Sequence, residues 1–563
     1  MQHDRPIHHP SFRASFITDR SVWVILLLIL PYWINLTGPS LWDSTEAFYT
    51  ETPREMIELK SYLVPFFNYQ PRLNKPPLVY WLVIPFYHLF GAEHLIARAV
   101  NALGASLLVV VTWAMARRLF SERAGLLAAA MMATTPRMLL IAQKSLIDTY
   151  FTLFVVAALF FFWLSVERET STRTTLMFYA IVGLAVLTKG PLALVLTGGI
   201  GFLFLLATGR WALIRRMKIP IGALILVSIV APWYVAVYLH VGWEPIAAFI
   251  FRDNIGRFTS DIDWSERGHF FYVSVLLADF FPWSFYLVPA AVVGYRLYRG
   301  RAGEHARVIF LLVWIAFMLT FFSLARNKQE YYLLPLYPAA AALIAHWFDR
   351  LMDRAVSVWE QRSAQLITLL VGVSLTIGGV LIALFMQRVL MQPQAAAMML
   401  VLVIGAGWLL WHARQQNLKR MPVALAGVML FGVVLYHAVY LPAIEPFRPT
   451  RALAEVIARR ARPDDLIGAY NYAAPSLTFY LRRRTFEAFL PEVMSEILQS
   501  KQRIFCLVQE RDLPQLEQMA SGRLRILERR PLLTWRLSAL WDARVREQMP
   551  HVLLIVAGDT GSD

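Results

Sequence analysis

The ionisable residues of this 563-residue chain are scarce, and they are not scattered at random. One stretch, 38–94, carries Asp43, Glu46, Glu51, Arg54, Glu55 and Lys75 among several aromatics. A second, 241–269, carries Arg252, Asp253, Arg257, Asp261, Asp263, Glu266, Arg267 and His269. Lys144 with Asp148, Lys189, and Arg326 with Lys328 each mark a short break between apolar runs. Carboxylates of this kind can move a proton, and clustered Lys and Arg can hold a phosphate. Taken singly, each is an interfacial anchor or a helix-end charge. Gathered on one side of a membrane, they make a site, because ionisable groups at a bilayer boundary are costly unless paired or used.

That membrane follows from composition. The chain is 58% hydrophobic and 16% charged, with 18 Trp, 36 Phe and 22 Tyr and a mean hydropathy of +0.50. Soluble domains run at roughly 45–50% apolar and about 25% charged. A disordered chain is excluded, and the balance argues against an ordinary cytosolic enzyme. The net charge of +16 fits cytoplasmic loops rich in Lys and Arg rather than nucleic-acid binding. A single cysteine, Cys506, excludes a disulfide framework and any multi-cysteine metal site. The first apolar run, from Val22, lacks a small-residue cleavage site and reads as a retained span.

Apolar runs of about 17–25 residues can cross a bilayer as helices. About thirteen appear, at 22–37, 95–116, 124–141, 148–166, 174–188, 190–208, 219–240, 270–293, 307–324, 331–347, 365–387, 396–413 and 421–441. Leu78–Phe90 is shorter, follows Pro76-Pro77 and reads as a juxtamembrane or re-entrant helix. With Arg5, Arg13 and Arg20 in the cytoplasm, thirteen spans put Arg117/Arg118/Arg123, Arg168/Arg173, Arg210/Arg215/Arg216/Lys218, Arg296/Arg299/Arg301/Arg307, Arg350/Arg354/Arg362 and Arg414/Lys419/Arg420 inside. All the residues of the opening paragraph then face outward, and so does the C-terminus. A full span at Leu78–Phe90 would invert all six clusters.

Charged residues become about twice as dense after residue 445. The chain therefore divides into a membrane domain, 1–441, and a polar C-terminal domain, 442–563. The joint is Pro442-Ala-Ile-Glu-Pro446-Phe-Arg-Pro449, whose prolines are expected to stop a helix. Asp465–Tyr470 and Arg503–Val508 read as buried strands, and Ala452–Arg460 as a helix, of a small α/β unit with no glycine-rich nucleotide motif.

Several motifs stand in order along the membrane part. Leu41-Trp-Asp-Ser-Thr-Glu46-Ala-Phe-Tyr-Thr-Glu51-Thr-Pro-Arg54-Glu-Met56 is followed by Arg72-Leu-Asn-Lys75-Pro-Pro77-Leu-Val-Tyr-Trp81. Then come Leu187-Thr-Lys189-Gly-Pro191, Asn254-Ile-Gly-Arg257-Phe258, Phe281-Pro-Trp-Ser284, and Phe322-Ser323 through Lys328 to Tyr332-Leu-Leu-Pro335. The ordered set resembles the polyprenyl-phosphate-sugar glycosyltransferases of the GT-C type. That group includes the protein O-mannosyltransferase-like family and the lipid A aminoarabinose transferases. The resemblance covers most of the membrane domain.

What the resemblance implies is a GT-C fold and transfer of a sugar from a polyprenyl (undecaprenyl) phosphate to a lipid A, glycan or protein acceptor. The reaction would take place at the outer, periplasmic face of a bacterial inner membrane. Two physical needs follow: fixed cations for the departing phosphate, and a carboxylate for the proton of an acceptor hydroxyl. By family position Glu46 is the first expectation for the base, with Asp43 as its neighbour and Asp148 as an alternative. Glu46 would otherwise complement a helix dipole, and Asp148 would otherwise cap its span. Lys75, Arg257 and Tyr332 match positions that approach the donor, with Lys189, Lys328 and Arg54 as further substrate contacts; snorkelling is the structural alternative for the cations. The chain departs from the aminoarabinose transferases at three points: Thr45 replaces the first acid of a pair, Phe48 an Arg, and Asn74 a Glu. The last two remove charge near the sugar or metal region and argue against bound zinc there. No cofactor is required by the motifs, and a divalent cation is left open. The competing class is a transporter or flippase of a lipid-linked sugar. It would call for mid-span polar residues and an internal repeat, and neither is evident.

Overall fold

The computed structural model describes residues 20–558, apart from 44, 167–171, 260–266, 300–304, 354–355, 501, 521–523, 534–536 and 543–548. Of the residues singled out above, Arg5, Arg13, Arg168, Asp261, Asp263, Glu266, Arg301 and Arg354 lie outside the described residues.

The molecule is mainly helical, and each of the thirteen apolar runs carries helix. Seven helices among the described residues are long and apolar enough to cross a membrane: His94–Leu119, Ile147–Val166, Ile219–Val241, His305–Leu324, Val358–Arg388, Pro393–Arg414 and Met421–Phe447. The apolar run 270–293 is bent by 106° between Phe271–Asp279 and Ser284–Leu297. Another, 124–141, breaks at Thr135-Pro136, where the Thr135 hydroxyl caps the next helix by accepting from Met138 N. Arg20–Trp33 and Leu192–Thr208 are shorter, and Leu78–Phe90 is a separate 13-residue helix.

One continuous apolar core joins these helices, with Tyr32, Trp283, Trp314 and Trp347 wholly enclosed. Their polar atoms are met inside it. Tyr32 donates to Ala133 O, Trp283 to Thr134 Oγ1 and Trp314 to Pro335 O. Ile219–Val241 is the opposite case, with 11% of its apolar window buried. Its Leu224, Val227 and Leu239 project outward as a lipid-facing helix does.

The helix does end within the proline-rich joint 442–449, past its first proline. A π-helical turn, Tyr436–Tyr440, precedes Leu441–Ile444, and the helical run continues to Phe447. Pro442 falls in the first turn of the short helix that follows, where its missing N–H costs nothing.

Residues 449–557 hold a five-stranded mixed sheet. Its order is Phe486–Ala488, Leu466–Tyr470, Ile504–Gln509, His551–Ala557, Leu524–Pro531. The first three strands are parallel and the last two antiparallel. Alternate residues of the central strands enter two apolar clusters. Phe505 and Leu507 pack under Pro449–Arg460 and Ser476–Leu481, while Cys506 and Val508 pack under Pro491–Leu498 and Leu513–Met519. Both faces are covered, so the strands read as unbroken apolar runs.

Candidate active site

The helix Glu46–Glu58 and the segment before it are held from two sides. From the membrane side comes Arg98, buried in the first turns of His94–Leu119. Its guanidinium meets both oxygens of Glu46, Nε to Oε1 at 2.6 Å and Nη2 to Oε2 at 3.0 Å. It also donates to the carbonyls of Leu36, Pro39 and Ser40. The remaining capacity of Glu46 Oε2 is taken by Trp42 N at 2.9 Å. Burial would raise the Glu46 carboxyl, but Arg98 outweighs it and holds the group below its ordinary range.

From the C-terminal side comes a row of contacts. Asp43 accepts from Thr450 Oγ1 at 2.8 Å and from Ser476 N at 3.0 Å. Leu41 N donates to the Tyr480 hydroxyl, Ser40 N to Glu445, and Arg448 to Leu41 O. Farther along, Phe66–Phe67 and Gln70–Pro71 form a hairpin whose turn residues, Asn68 and Tyr69, both have positive φ. Asn68 exchanges two hydrogen bonds with the backbone of Thr485. The Trp42 ring lies between two cations, Lys144 at 3.9 Å and Arg448 at 4.1 Å.

Beneath this scaffold opens a cavity of about 440 Å³ at one end of the helices. Thr45 and Tyr49 line it from the charged stretch 38–94, one helical turn apart. Asp148 enters from the start of Ile147–Val166, and Lys189 from the end of Thr172–Lys189. The π-helix Ala248–Gly256 supplies Asp253 and Asn254, and Arg257 follows it. Phe321, Phe322, Asn327, Tyr331 and Tyr332 close the remaining wall, and Lys75 reaches in from its loop.

Geometry within the cavity is specific. Lys189 Nζ lies 2.5 Å from Asp148 Oδ1. It also stands 4.8 Å from the Tyr332 ring and 5.2 Å from the Phe151 ring. Asp148 Oδ2 makes no hydrogen bond to the described residues. Gly190 follows Lys189 at φ +93, and a Cβ there would come within 2.5 Å of the Phe249 ring. Only glycine lets the π-helix approach the lysine so closely. Lys75 Nζ stands 6.0 Å from that same Phe249 ring. Burial, with the charges of Arg257 and Lys189, pushes the Lys75 ammonium down to about 7; Asp253 and Asp148 oppose the shift.

The structure thus brings together Lys75, Asp148, Lys189, Arg257 and Tyr332. Four other expected residues do not line the cavity. Glu46 is engaged by Arg98 and Trp42, and Asp43 by Thr450 and Ser476. The Lys328 ammonium donates to Ala325 O at 2.6 Å. Arg54 pairs with Glu51 at 2.6 Å and with Glu58. In these contacts the four side chains serve the scaffold around the cavity. Such side chains mark the right region in sequence, but their hydrogen-bonding capacity is spent on shape. Sequence reasoning missed Tyr49 and Arg98, and named Asp253 without a role. The signal for Arg98 was present: a lone guanidinium at the head of an apolar span needs an acid partner. Among the described residues no group of three or more His, Cys, Asp or Glu is gathered as for a metal ion.

The fold is the GT-C fold of the solved structures described next: a helical bundle with a cavity at one end, largely apolar and carrying several charged groups. Residues 74–235 match the family of dolichyl-phosphate-mannose-protein mannosyltransferases. Among solved structures, ArnT from Cupriavidus metallidurans bound to undecaprenyl phosphate superposes with a TM-score of 0.76. The match covers 97% of this chain and 100% of that one at 20% identity. The archaeal oligosaccharyltransferase AglB from Archaeoglobus fulgidus, in complex with an inhibitory peptide and a dolichol-phosphate, gives 0.52 over 90% of this chain and 72% of that one at 13% identity. In sequence, the chain is 26% identical to an undecaprenyl phosphate-alpha-4-amino-4-deoxy-L-arabinose arabinosyl transferase of Pseudomonas fluorescens, over 84% of this chain and 81% of that protein.

Proposed function

We propose that the chain is a membrane glycosyltransferase that moves a sugar from a polyprenyl (undecaprenyl) phosphate to a lipid, glycan or protein acceptor at the periplasmic face. The observation that carries this reading is the cavity itself. It gathers Lys75, Lys189 and Arg257 beside a wall of Phe321, Phe322 and Leu192, in a fold shared with a protein solved with undecaprenyl phosphate. Cations against an apolar wall suit a phosphate on a long hydrocarbon.

The bond between the anomeric carbon and the phosphate oxygen breaks, and the electron pair stays on the phosphate. Lys75, Arg257 and Lys189 stabilise that charge, and Tyr332 stacks against the Lys189 head. An acceptor oxygen forms the new bond to the anomeric carbon. If the acceptor is a hydroxyl, its proton passes to Asp148 Oδ2, whose other oxygen is fixed by Lys189. An acceptor that is already ionised has no such proton. The reading is tested with purified protein in nanodiscs and a donor labelled in both sugar and lipid. Labelled sugar on the acceptor and free polyprenyl phosphate are expected in equal amounts. Intact donor moved across the bilayer, with no phosphate released, is the flippase outcome and rejects it.

The same reading places thirteen spans in residues 1–441, the N-terminus in the cytoplasm, and 442–563 as a periplasmic α/β domain. It is supported by helix in all thirteen runs and by the basic inner loops. Cys506 is buried in the sheet and is a poor reporter. In a Cys506→Ser background, Arg215→Cys is expected to be shielded from an impermeant thiol reagent in whole cells, and Gln518→Cys to react. The reverse pattern would overturn the orientation.

A further inference from the structure

Two of the apolar runs are broken, 124–141 at Thr135-Pro136 and 270–293 at its 106° bend, and the two breaks lie against each other. Trp283 Nε1 donates to Thr134 Oγ1 between them at 3.2 Å. Arg137, in the first turn after the Pro136 break, meets Asp279, the last residue before the bend. Its guanidinium donates Nε to Oδ2 at 2.7 Å and Nη2 to Oδ1 at 2.8 Å. The Tyr337 hydroxyl also donates to Asp279 Oδ2, at 3.2 Å. Arg137 and Asp279 are both buried. An enclosed charge pair among apolar helices is costly to keep. Both oxygens of Asp279 are taken by these partners, so the pair holds something in place rather than reacting.

What it holds is a wall of the cavity. On Phe271–Asp279 the buried residues are Tyr272, Val275, Leu276 and Asp279, one face over two turns. The polar members stand at its two ends, and both reach the segment 329–331. The Tyr272 hydroxyl donates to Gln329 O and accepts from Gln329 N, each at 3.1 Å. At the other end the Arg137 guanidinium, fixed by Asp279, lies 4.8 Å over the Tyr331 ring. Gln329 and Tyr331 both line the cavity. The Tyr331 hydroxyl makes no hydrogen bond to the described residues, and the charges of Arg137 and Asp148 both act on it.

We infer that Tyr331 is a further catalytic residue, whose hydroxyl donates to the phosphate oxygen that gains charge as the sugar leaves, and that Arg137 and Asp279 are its positioning residues. The proton stays on Tyr331 throughout. A guanidinium over the ring face draws electron density from the phenol and makes its O–H a stronger donor. The stack on one side and the Tyr272 bonds on the other restrict the ring, so the donor is in place before the charge develops. The inference rests on the glycosyltransferase reading above and adds a residue to that same site.

Equilibrium binding to the full chain in nanodiscs at pH 8 tests it without an acceptor. The probes are synthetic undecaprenyl phosphate, a monoester with about two negative charges at that pH, and its hexose phosphodiester, with a single one. A donor aimed at developing charge favours the monoester. Tyr331→Phe is expected to weaken monoester binding at least fivefold and diester binding less than twofold. Arg137→Gln combined with Asp279→Asn leaves no lone buried charge and is expected to weaken the monoester in the same way. In the Tyr331→Phe background the combined change is expected to add less than twofold, whereas a merely structural pair would act undiminished. If that variant does not fold, Arg137→Lys, which keeps the ion pair and loses the planar cation over the ring, carries the same comparison. Tyr331→Phe within twofold of wild type for the monoester overturns the inference, as does an equal loss for both lipids. An effect of the pair that persists in full without the hydroxyl overturns its positioning role. In those cases wild type still binds both lipids and the transferase reading stands. Wild type that binds neither lipid rejects both.

Discussion

Replacing Lys75 by alanine is expected to slow sugar transfer by 10²–10³-fold, roughly 2.7–4 kcal/mol in the barrier, as for loss of one preorganised charge donor. The side chain suits that role for a positional reason. Pro76 and Pro77 fix the backbone just beyond it, and both are buried. Lys75→Arg keeps the charge and is expected to retain more activity than Lys75→Ala. The same residue predicts a pH dependence. In the empty cavity the Lys75 ammonium titrates at about 7, because burial and the nearby cations Arg257 and Lys189 disfavour its charge. A bound phosphate reverses that and raises the value, so binding above pH 7 takes up a proton. Donor affinity is thus highest below about pH 7 and falls as pH rises, by at most about tenfold per unit for one proton. A phosphodiester donor carries the same charge throughout, so the protein alone titrates. Measuring donor affinity from pH 6 to 9 checks this. A flat profile in wild type, or alanine variants at 75 and 257 both within twofold of wild-type turnover, would show that the phosphate is held elsewhere.

Glu46→Gln is expected to cost stability rather than catalysis alone. The change leaves the buried guanidinium of Arg98 without its counter-charge, and breaking one partner of a buried pair costs about 3–5 kcal/mol. Thermal unfolding in detergent is expected to shift downward by many degrees. Asp148→Asn is the contrasting variant: it also breaks a buried pair, with Lys189, so its melting curve moves down as well, but the folded protein is expected to bind donor and lose transfer to a hydroxyl acceptor. The outcome that refutes this assignment is a Glu46→Gln protein as stable as wild type that binds donor and fails only in transfer. It would return the base role to Glu46.

The contrast between these two acids shows how the site could be read from sequence and where that reading stopped. Lys75, Lys189, Arg257, Tyr332 and Asp148 were legible because each sits in a short motif at a helix end, and helix ends on one side of a bilayer must converge. Glu46 stood in as good a motif but does not line the cavity. Its register put it next to Thr45, which does line the cavity, but a helix turns 100° per residue, so the neighbouring side chain faces another way. Nothing local to 41–56 announces Arg98, which comes from 52 residues farther on.

From the sequence alone came the bundle of apolar helices, the strands at 466–470 and 504–509, and the membership of most charged cavity residues. All of these depend on short-range pattern: hydrophobic length and residues within one turn of a boundary. Tertiary structure alone decided which charges are spent on architecture and which are free for chemistry. Asp43 and Glu46 are used up by Thr450, Ser476 and Arg98, while Lys75 keeps its ammonium in the cavity. The physical reason is that a buried charge is settled by whichever partner the fold brings within about 3 Å, and those partners lie tens to hundreds of residues away along the chain.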